Sequence, residues 1–293
     1  MRKFLIGLCA MSTLLLGTTS CHEEYTTYNG AEFISFSDSL YILPVQNDEE
    51  YFNIPVVASN ECDYDRTVGV EVVDVKSNAK ERLHYTVESN TLTIPAGEKT
   101  TNFRVRGVAS NITIADSLGI NIKILSEDVL NGGQNLSANV ILKRTCPFDI
   151  NEFTGYGILT SSYMNQYMPG VTHRLVHSEL DPDNKNTIII KDYFYDGYDV
   201  KLRFTDNDIL NPLIEMDEQN FGSTAEAFGT IYGDGIIRME QLNGFPSYYS
   251  TCENFVVHYM TLFVPEVGVV GQYGNIVEWI SDEEAEKIMR EGF

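Results

Sequence analysis

His173, His177 and Glu179 occupy odd positions of one strand-like segment, so their side chains share a face. On a strand rising about 3.3 Å per residue the two histidines stand about 13 Å apart, too far to hold one ion. They read as solvent-facing strand residues. Asp181-Pro182-Asp183-Asn184-Lys185-Asn186 has some of the acidic spacing of a calcium loop. Lys185 falls at a ligand position and the bend glycine is missing, so the segment reads as a turn. Asp63 and Asp65 supply too few oxygens for calcium and read as a solvated acidic loop. The sequence contains no Gly-x-Ser-x-Gly elbow, no His-Glu-x-x-His, no P-loop and no Gly-x-Gly-x-x-Gly opening a helix. A glycosidase needs two carboxylates about 5–10 Å apart. With 24 acidic residues after position 145, some pair approaches that distance by chance, so abundance assigns no catalytic residue. The sequence therefore points to no catalytic residue, no metal and no cofactor.

Tyrosine is the more suggestive residue. Tyr193, Phe194, Tyr195 and Tyr198 cluster around Asp192, Asp196 and Asp199, while Tyr163 with Tyr167 and Tyr248 with Tyr249 fall in loops. Exposed tyrosines beside carboxylates can stack on sugar rings while accepting hydroxyl hydrogen bonds, and aromatic anchors also dominate protein interfaces. Tyr163, Tyr167, Tyr195, Tyr198, Tyr248 and Tyr249 are the candidate ligand-binding residues. The competing reading is that alternate tyrosines fill a barrel core, a strong competitor for Tyr193 and Tyr195.

The elements that must position these residues are strands. Between residues 32 and 142 the apolar period is two: Phe52, Ile54 and Val56, then Val68, Val70 and Val72, then Phe103 and Val105, then Leu118, Ile120, Ile122 and Ile124. Turn-rich segments separate these runs, and about seven strands in about 110 residues predict an immunoglobulin-like β-sandwich. A junction is expected at 143–150. Beyond it, strands are expected at 156–160, 173–179, 187–191, 199–204, 230–232, 236–242 and 255–264. Tight turns between several of them predict an antiparallel β-barrel or sandwich. Ser281 with Glu284 three residues on forms a capping box for a short C-terminal helix. The fold class is all-β. The expected organisation is 1–20 signal peptide, 21–30 tether, 31–145 sandwich and 146–293 antiparallel β domain.

With 20 basic and 42 acidic side chains the net charge is −22, which repels phosphate backbones and excludes nucleic acid as a partner class. Residues 22–145 carry 10 basic and 18 acidic groups, a net −8, and residues 146–293 carry 8 and 24, a net −16. Of five cysteines, Cys9 falls in the leader and Cys21 at its end, leaving Cys62, Cys146 and Cys252. At most one intrachain disulfide can form. Cys146 with Cys252 is the conceivable pair, but nothing has the spacing of a disulfide framework, which favours buried free thiols.

Arg2 and Lys3, the apolar run 4–17 and then Thr18-Thr19-Ser20-Cys21 resemble a bacterial lipoprotein signal in which Cys21 is lipidated. His22-Glu23-Glu24 is similar to the acidic signal that sends Bacteroidetes lipoproteins to the cell surface. The resemblance implies an outer-membrane, lipid-anchored location. Leu83-His84-Tyr85-Thr86, then Thr91-Leu92-Thr93-Ile94-Pro95-Ala96-Gly97-Glu98, then Phe103-Arg104-Val105, resemble a Calx-beta domain. Phe153-Thr154-Gly155-Tyr156, Tyr198-Asp199-Val200 and the run 229–235 resemble lipocalin-like domains of Bacteroidetes two-domain surface lipoproteins. The combined expectation is a non-enzymatic, surface-anchored binding module that presents its second domain to a glycan or a protein partner. A structural or adhesion component of an outer-membrane assembly is the alternative, and a glycan hydrolase comes third.

Overall fold

Alternating burial along the first unit makes strands with one apolar face, and two such faces close on each other. The computed structural model describes residues 32–125 and 135–293. The proposed leader, tether and Cys21 lie outside the described residues. Among the described residues nine strands form the sandwich: β1 Ile34–Phe36, β2 Leu40–Val45, β3 Phe52–Ala58, β4 Arg66–Val72, β5 Tyr85–Val87, β6 Thr91–Ile94, β7 Thr100–Gly107, β8 Leu118–Leu125 and β9 Ser137–Arg144. They pair as β1-β3-β7-β5 and β2-β9-β8-β4-β6. The β2–β9 pair is parallel; every other pair is antiparallel. Ile54, Val56, Phe103, Val105, Ile120 and Ile122 are buried between the sheets. Asp65 accepts a hydrogen bond from Ala96 N at 2.8 Å, so this acidic residue braces a turn.

The second unit contains β10 Gly155–Ser161, β11 Arg174–Leu180, β12 Thr187–Lys191, β13 Val200–Phe204, β14 Leu213–Glu215, β15 Gln219–Ser223, β16 Ile236–Gln241, β17 Ser247–Ser250, β18 Phe255–Val264 and β19 Gly268–Trp279. Eight of them run β18-β17-β14-β13-β12-β11-β10-β19, and β19 pairs back onto β18 to close an antiparallel barrel. β16 joins β18 through residues 260–263, and β15 joins β16. Short helices α1 Ser162–Tyr167 and α2 Thr224–Phe228 lie between strands. The terminal helix α3 Asp282–Glu291 starts where Ser281 Oγ accepts from Glu284 N at 3.2 Å. Asp181 organises the β11–β12 turn, accepting from Asp183 N, Asn184 Nδ2 and Lys201 Nζ.

Two expectations need correction. Residues 230–232 are a loop, because Gly229 at φ 71° ends α2 and the chain turns at Gly233 before β16 begins. Cys146 and Cys252 are not free thiols but a disulfide, with Cα atoms 5.3 Å apart. The sequence separation of 106 hid their proximity, which barrel closure creates. Cys62 is the free cysteine among the described residues.

Candidate functional site

The site is built where the sandwich hands the chain to the barrel. Arg144, at the end of β9, donates to Val45 O at 3.0 Å and Gln46 O at 2.7 Å, which fixes the direction in which the linker leaves. Beyond it, the disulfide and a hydrogen bond from Thr251 Oγ1 to Cys146 O at 2.9 Å tie the linker to the β17–β18 turn. Lys143 Nζ reaches across to Leu210 O at 3.1 Å. Leu210 belongs to a turn organised by Asp208, which accepts from Leu210 N at 2.9 Å and Asn211 Nδ2 at 2.7 Å. The Asn211 amide, with Leu210 N behind it, holds the Asp208 carboxyl below its usual range.

These ties frame a groove of about 350 Å³ lined by residues of both units, among them Ile114, Thr145, Ile209, Leu213, Tyr248 and Glu253. Tyr248 is 40% exposed and stands directly opposite Leu213 across the β14–β17 pair, with Phe255 edge-on at 6.4 Å. A flat ring, a branched apolar neighbour and a second ring thus meet at the surface. The Thr145 hydroxyl is buried and finds no hydrogen-bond partner among the described residues. Glu253 is the one carboxylate among the groove's lining residues. The groove therefore offers an apolar platform with hydrogen-bonding groups at its edges.

Of the six tyrosines singled out from the sequence, two line this groove, Tyr248 and Tyr249. Three of the six are interior residues, which corrects the expectation that they face a ligand. Tyr249 points inward and donates to Thr205 O at 2.8 Å; burial first, then the Asp206 charge, pushes its hydroxyl up to about 12. Tyr163 and Tyr195 share a hydrogen bond at 2.7 Å inside the barrel, and burial raises both hydroxyls. Tyr195 lies across Gly222, where an added Cβ would come within 2.5 Å of the ring. Tyr167 stacks on Tyr163 at 4.9 Å and is half-buried. Tyr198 closes a turn, its N–H donating to Tyr195 O at 3.1 Å. The acidic neighbours serve the same turn: Asp192 accepts from Gly197 N, and Asp199 accepts from Asp192 N and Lys191 Nζ. The tyrosine–aspartate cluster is thus a folded corner rather than an open platform.

The remaining chemistry is dispersed or enclosed. Glu179 pairs with Lys191 at 2.8 Å, His177 packs edge-on to Tyr156, and His173 stacks on Phe293. Among the described residues no three His, Cys, Asp or Glu side chains converge at metal-binding distance. No helix among them is long and apolar enough to cross a membrane. His258 is buried in the barrel, with Nε2 against the Tyr193 hydroxyl, and burial pushes its pKa down to about 3. Thr145, Leu213, Ile209 and Glu253 were invisible to sequence reasoning. The one signal that pointed to their meeting place was the conceivable Cys146–Cys252 pair.

A family described as a domain of unknown function (DUF4984) matches residues 129–291, more than half of the chain. The chain belongs to that family. The DUF4984 segment takes in β9 together with the whole barrel, and so supplies the groove residues apart from Ile114. Among solved structures, the chain is similar to a Bacteroides ovatus protein of unknown function at 14% identity, covering 84% of this chain and 91% of that one, with a TM-score of 0.34. It is similar to the apo form of the Calx CBD1 domain at 16% identity, over 39% of this chain and 98% of that domain, TM-score 0.32. It is also similar to the calcium binding domain CBD12 of CALX1.1 at 13% identity, over 88% and 86% of the two chains, TM-score 0.34. No curated protein matches.

Proposed function

We propose that the protein is a non-enzymatic binding module, held at the outer membrane by lipid on Cys21, whose junction groove takes a glycan. The observation that carries this reading is the exposed Tyr248 ring set beside Leu213 and Phe255 over a groove shared by both units. Such a platform stacks against the C–H face of a sugar ring. Glu253 and Lys143 lie within the same lining to meet sugar hydroxyls. A hydrolase is disfavoured because an acid and its partner carboxylate must flank one bond, and this groove has Glu253 alone. The sandwich acts as a spacer that also supplies one wall.

The test is binding of the chain lacking residues 1–20 to a panel of neutral oligosaccharides by calorimetry. Saturable binding that falls about tenfold or more in Tyr248→Ala, with thermal unfolding unchanged, is expected, since a stacked ring is worth about 1–3 kcal/mol on desolvation. No bound sugar, or full affinity in Tyr248→Ala, would overturn the reading, and cleavage of a bound oligosaccharide would replace it with a hydrolase. The anchor has its own test: palmitate labelling in a lipoprotein-processing host should vanish in Cys21→Ala, and label that persists refutes it.

A further inference from the structure

The groove occupies one end of the barrel; the opposite end has features of its own. β18 leaves the groove at Phe255 and ends at Val264, ten residues and about 30 Å away. There the β18–β19 hairpin tip meets the loop 229–235. The contact is close: a Cβ added at Gly233 would lie 3.0 Å from both the Val264 and Val267 side chains. The loop is pinned by Tyr232 N donating to Thr224 Oγ1 at 3.0 Å and by Thr224 N donating to Gly235 O at 2.9 Å. Its apolar residues are thus held outward by fixed backbone. On the loop Ile231 is 72% exposed and Tyr232 is exposed, and on the hairpin tip that Gly233 touches, Val267 and Val269 are exposed and line one face. Apolar side chains gathered and held in water at one end of a domain mark a contact surface.

Charge decides the kind of partner. An open cavity of about 610 Å³ runs along this face, and Glu218, Glu240 and Glu266 line it with Phe263, Val267 and Val269. Among the described residues no lysine or arginine lines it. Arg238, which faces Phe263 across the β16–β18 pair, already pairs with Asp234 at 2.9 Å and Glu218 at 3.8 Å. Glu240 and Glu266 make no ion pair among the described residues. A second copy of this chain would set like charge against like, a mismatch that costs affinity. An anionic lipid surface would be repelled for the same reason.

We propose that this far end of the barrel docks a protein segment presenting an apolar side chain flanked by lysine or arginine. Charge complementarity to the glutamate rim selects the flanks, and the Ile231–Val267–Val269 surface receives the apolar residue. The inference is independent of any ligand in the junction groove.

The experiment is a displayed random-peptide selection on the chain lacking residues 1–20, with depletion on the Val267→Glu/Val269→Glu double variant. Recovered peptides should carry an apolar residue flanked by basic ones. Their affinity should fall about tenfold or more when salt rises from about 50 to about 500 mM, as screened charge pairs do. Should the double variant fail to fold, Ile231→Ser with Tyr232→Ser reads out the same surface. Neutral or acidic peptides, equal binding to the variant, or no recovered peptide would each overturn the proposal. So would a dimer seen by sedimentation that the double variant dissolves, because it would assign the face to a second copy.

Discussion

In the sandwich, Ile54, Val56, Val105, Ile120 and Ile122 close a largely aliphatic core that contains three aromatic rings, Phe36, Tyr85 and Phe103. The barrel core holds nine: Phe153, Tyr163, Tyr193, Phe194, Tyr195, Phe204, Phe221, Tyr249 and Tyr273. The difference follows from geometry. Two sheets facing each other leave a thin layer that branched aliphatic side chains fill, whereas an eight-stranded barrel encloses a wider space that rings fill more completely. Rings with hydroxyls then need partners, because a buried unpaired donor is costly. The barrel meets that need with Tyr163 against Tyr195, Tyr193 against His258, and Ser161 Oγ donating to Asn275 Oδ1 at 2.6 Å. The barrel builds polar pairs among the rings of its core, whereas the buried polar side chains of the sandwich include Arg66, paired with Glu32, and Asn121, bonded to Asn139.

The sharpest way to break the comparison is to remove one ring from each core. Phe153 packs on Phe204 at 4.7 Å, on Tyr249 at 5.6 Å and on Trp279 at 5.3 Å. Phe153→Ala should destabilise the barrel by about 3–5 kcal/mol and leave exchange protection in the sandwich unchanged. Phe103→Ala should do the reverse; hydrogen exchange resolved along the chain checks both. If either change loosens both units equally, the cores are not independent.

The next effect in size concerns the disulfide. Replacing Cys146 and Cys252 together with serine should cost the barrel roughly 2–4 kcal/mol, read as a lowered denaturant midpoint. The sandwich midpoint should stay where it is, since neither cysteine lies in that core.

The effect that is smallest at neutral pH is a dependence on acid, which grows as protons are added. His258 ionises near 6.5 when unfolded and at about 3 when buried, so between those values the unfolded chain holds a proton that the folded one does not. Barrel stability is therefore complete above pH 6.5 and declines as pH falls toward 3. The decline should flatten in His258→Gln. Tyr193→Phe leaves Nε2 without its partner and should cost about 1–3 kcal/mol at neutral pH.

The sandwich was more legible than the barrel. Alternation marked β3, β4, β7 and β8 because each buries one face, and period two reports that arrangement directly. In the barrel a run apolar on both faces, not alternation, marked β18 with its ends at 255 and 264, and nothing marked β19, the longest strand. Glycine interrupts the β19 pattern at 271 and 274. Those glycines make room for rings: an added Cβ would meet Tyr273 OH at 2.3 Å or the Tyr259 ring at 3.3 Å. A strand that yields space to aromatic neighbours loses the side chains that would have announced it. The candidate site suffered a similar loss. Tyr163, Tyr195 and Tyr249 carry the same chemical label as Tyr248, and burial alone separates the three core residues from the one that faces solvent.

Local order in the sequence therefore determined the all-β class, most of the strands and the capped terminal helix, because those depend on neighbours two to four residues apart. Only the tertiary structure decided that Cys146 bonds to Cys252, that three of six tyrosines fill the barrel, and that Leu213, Tyr248 and Thr145 share one groove. Each of these is a meeting of segments tens of residues apart, brought together by closure of the barrel against the sandwich, and no local periodicity carries that distance.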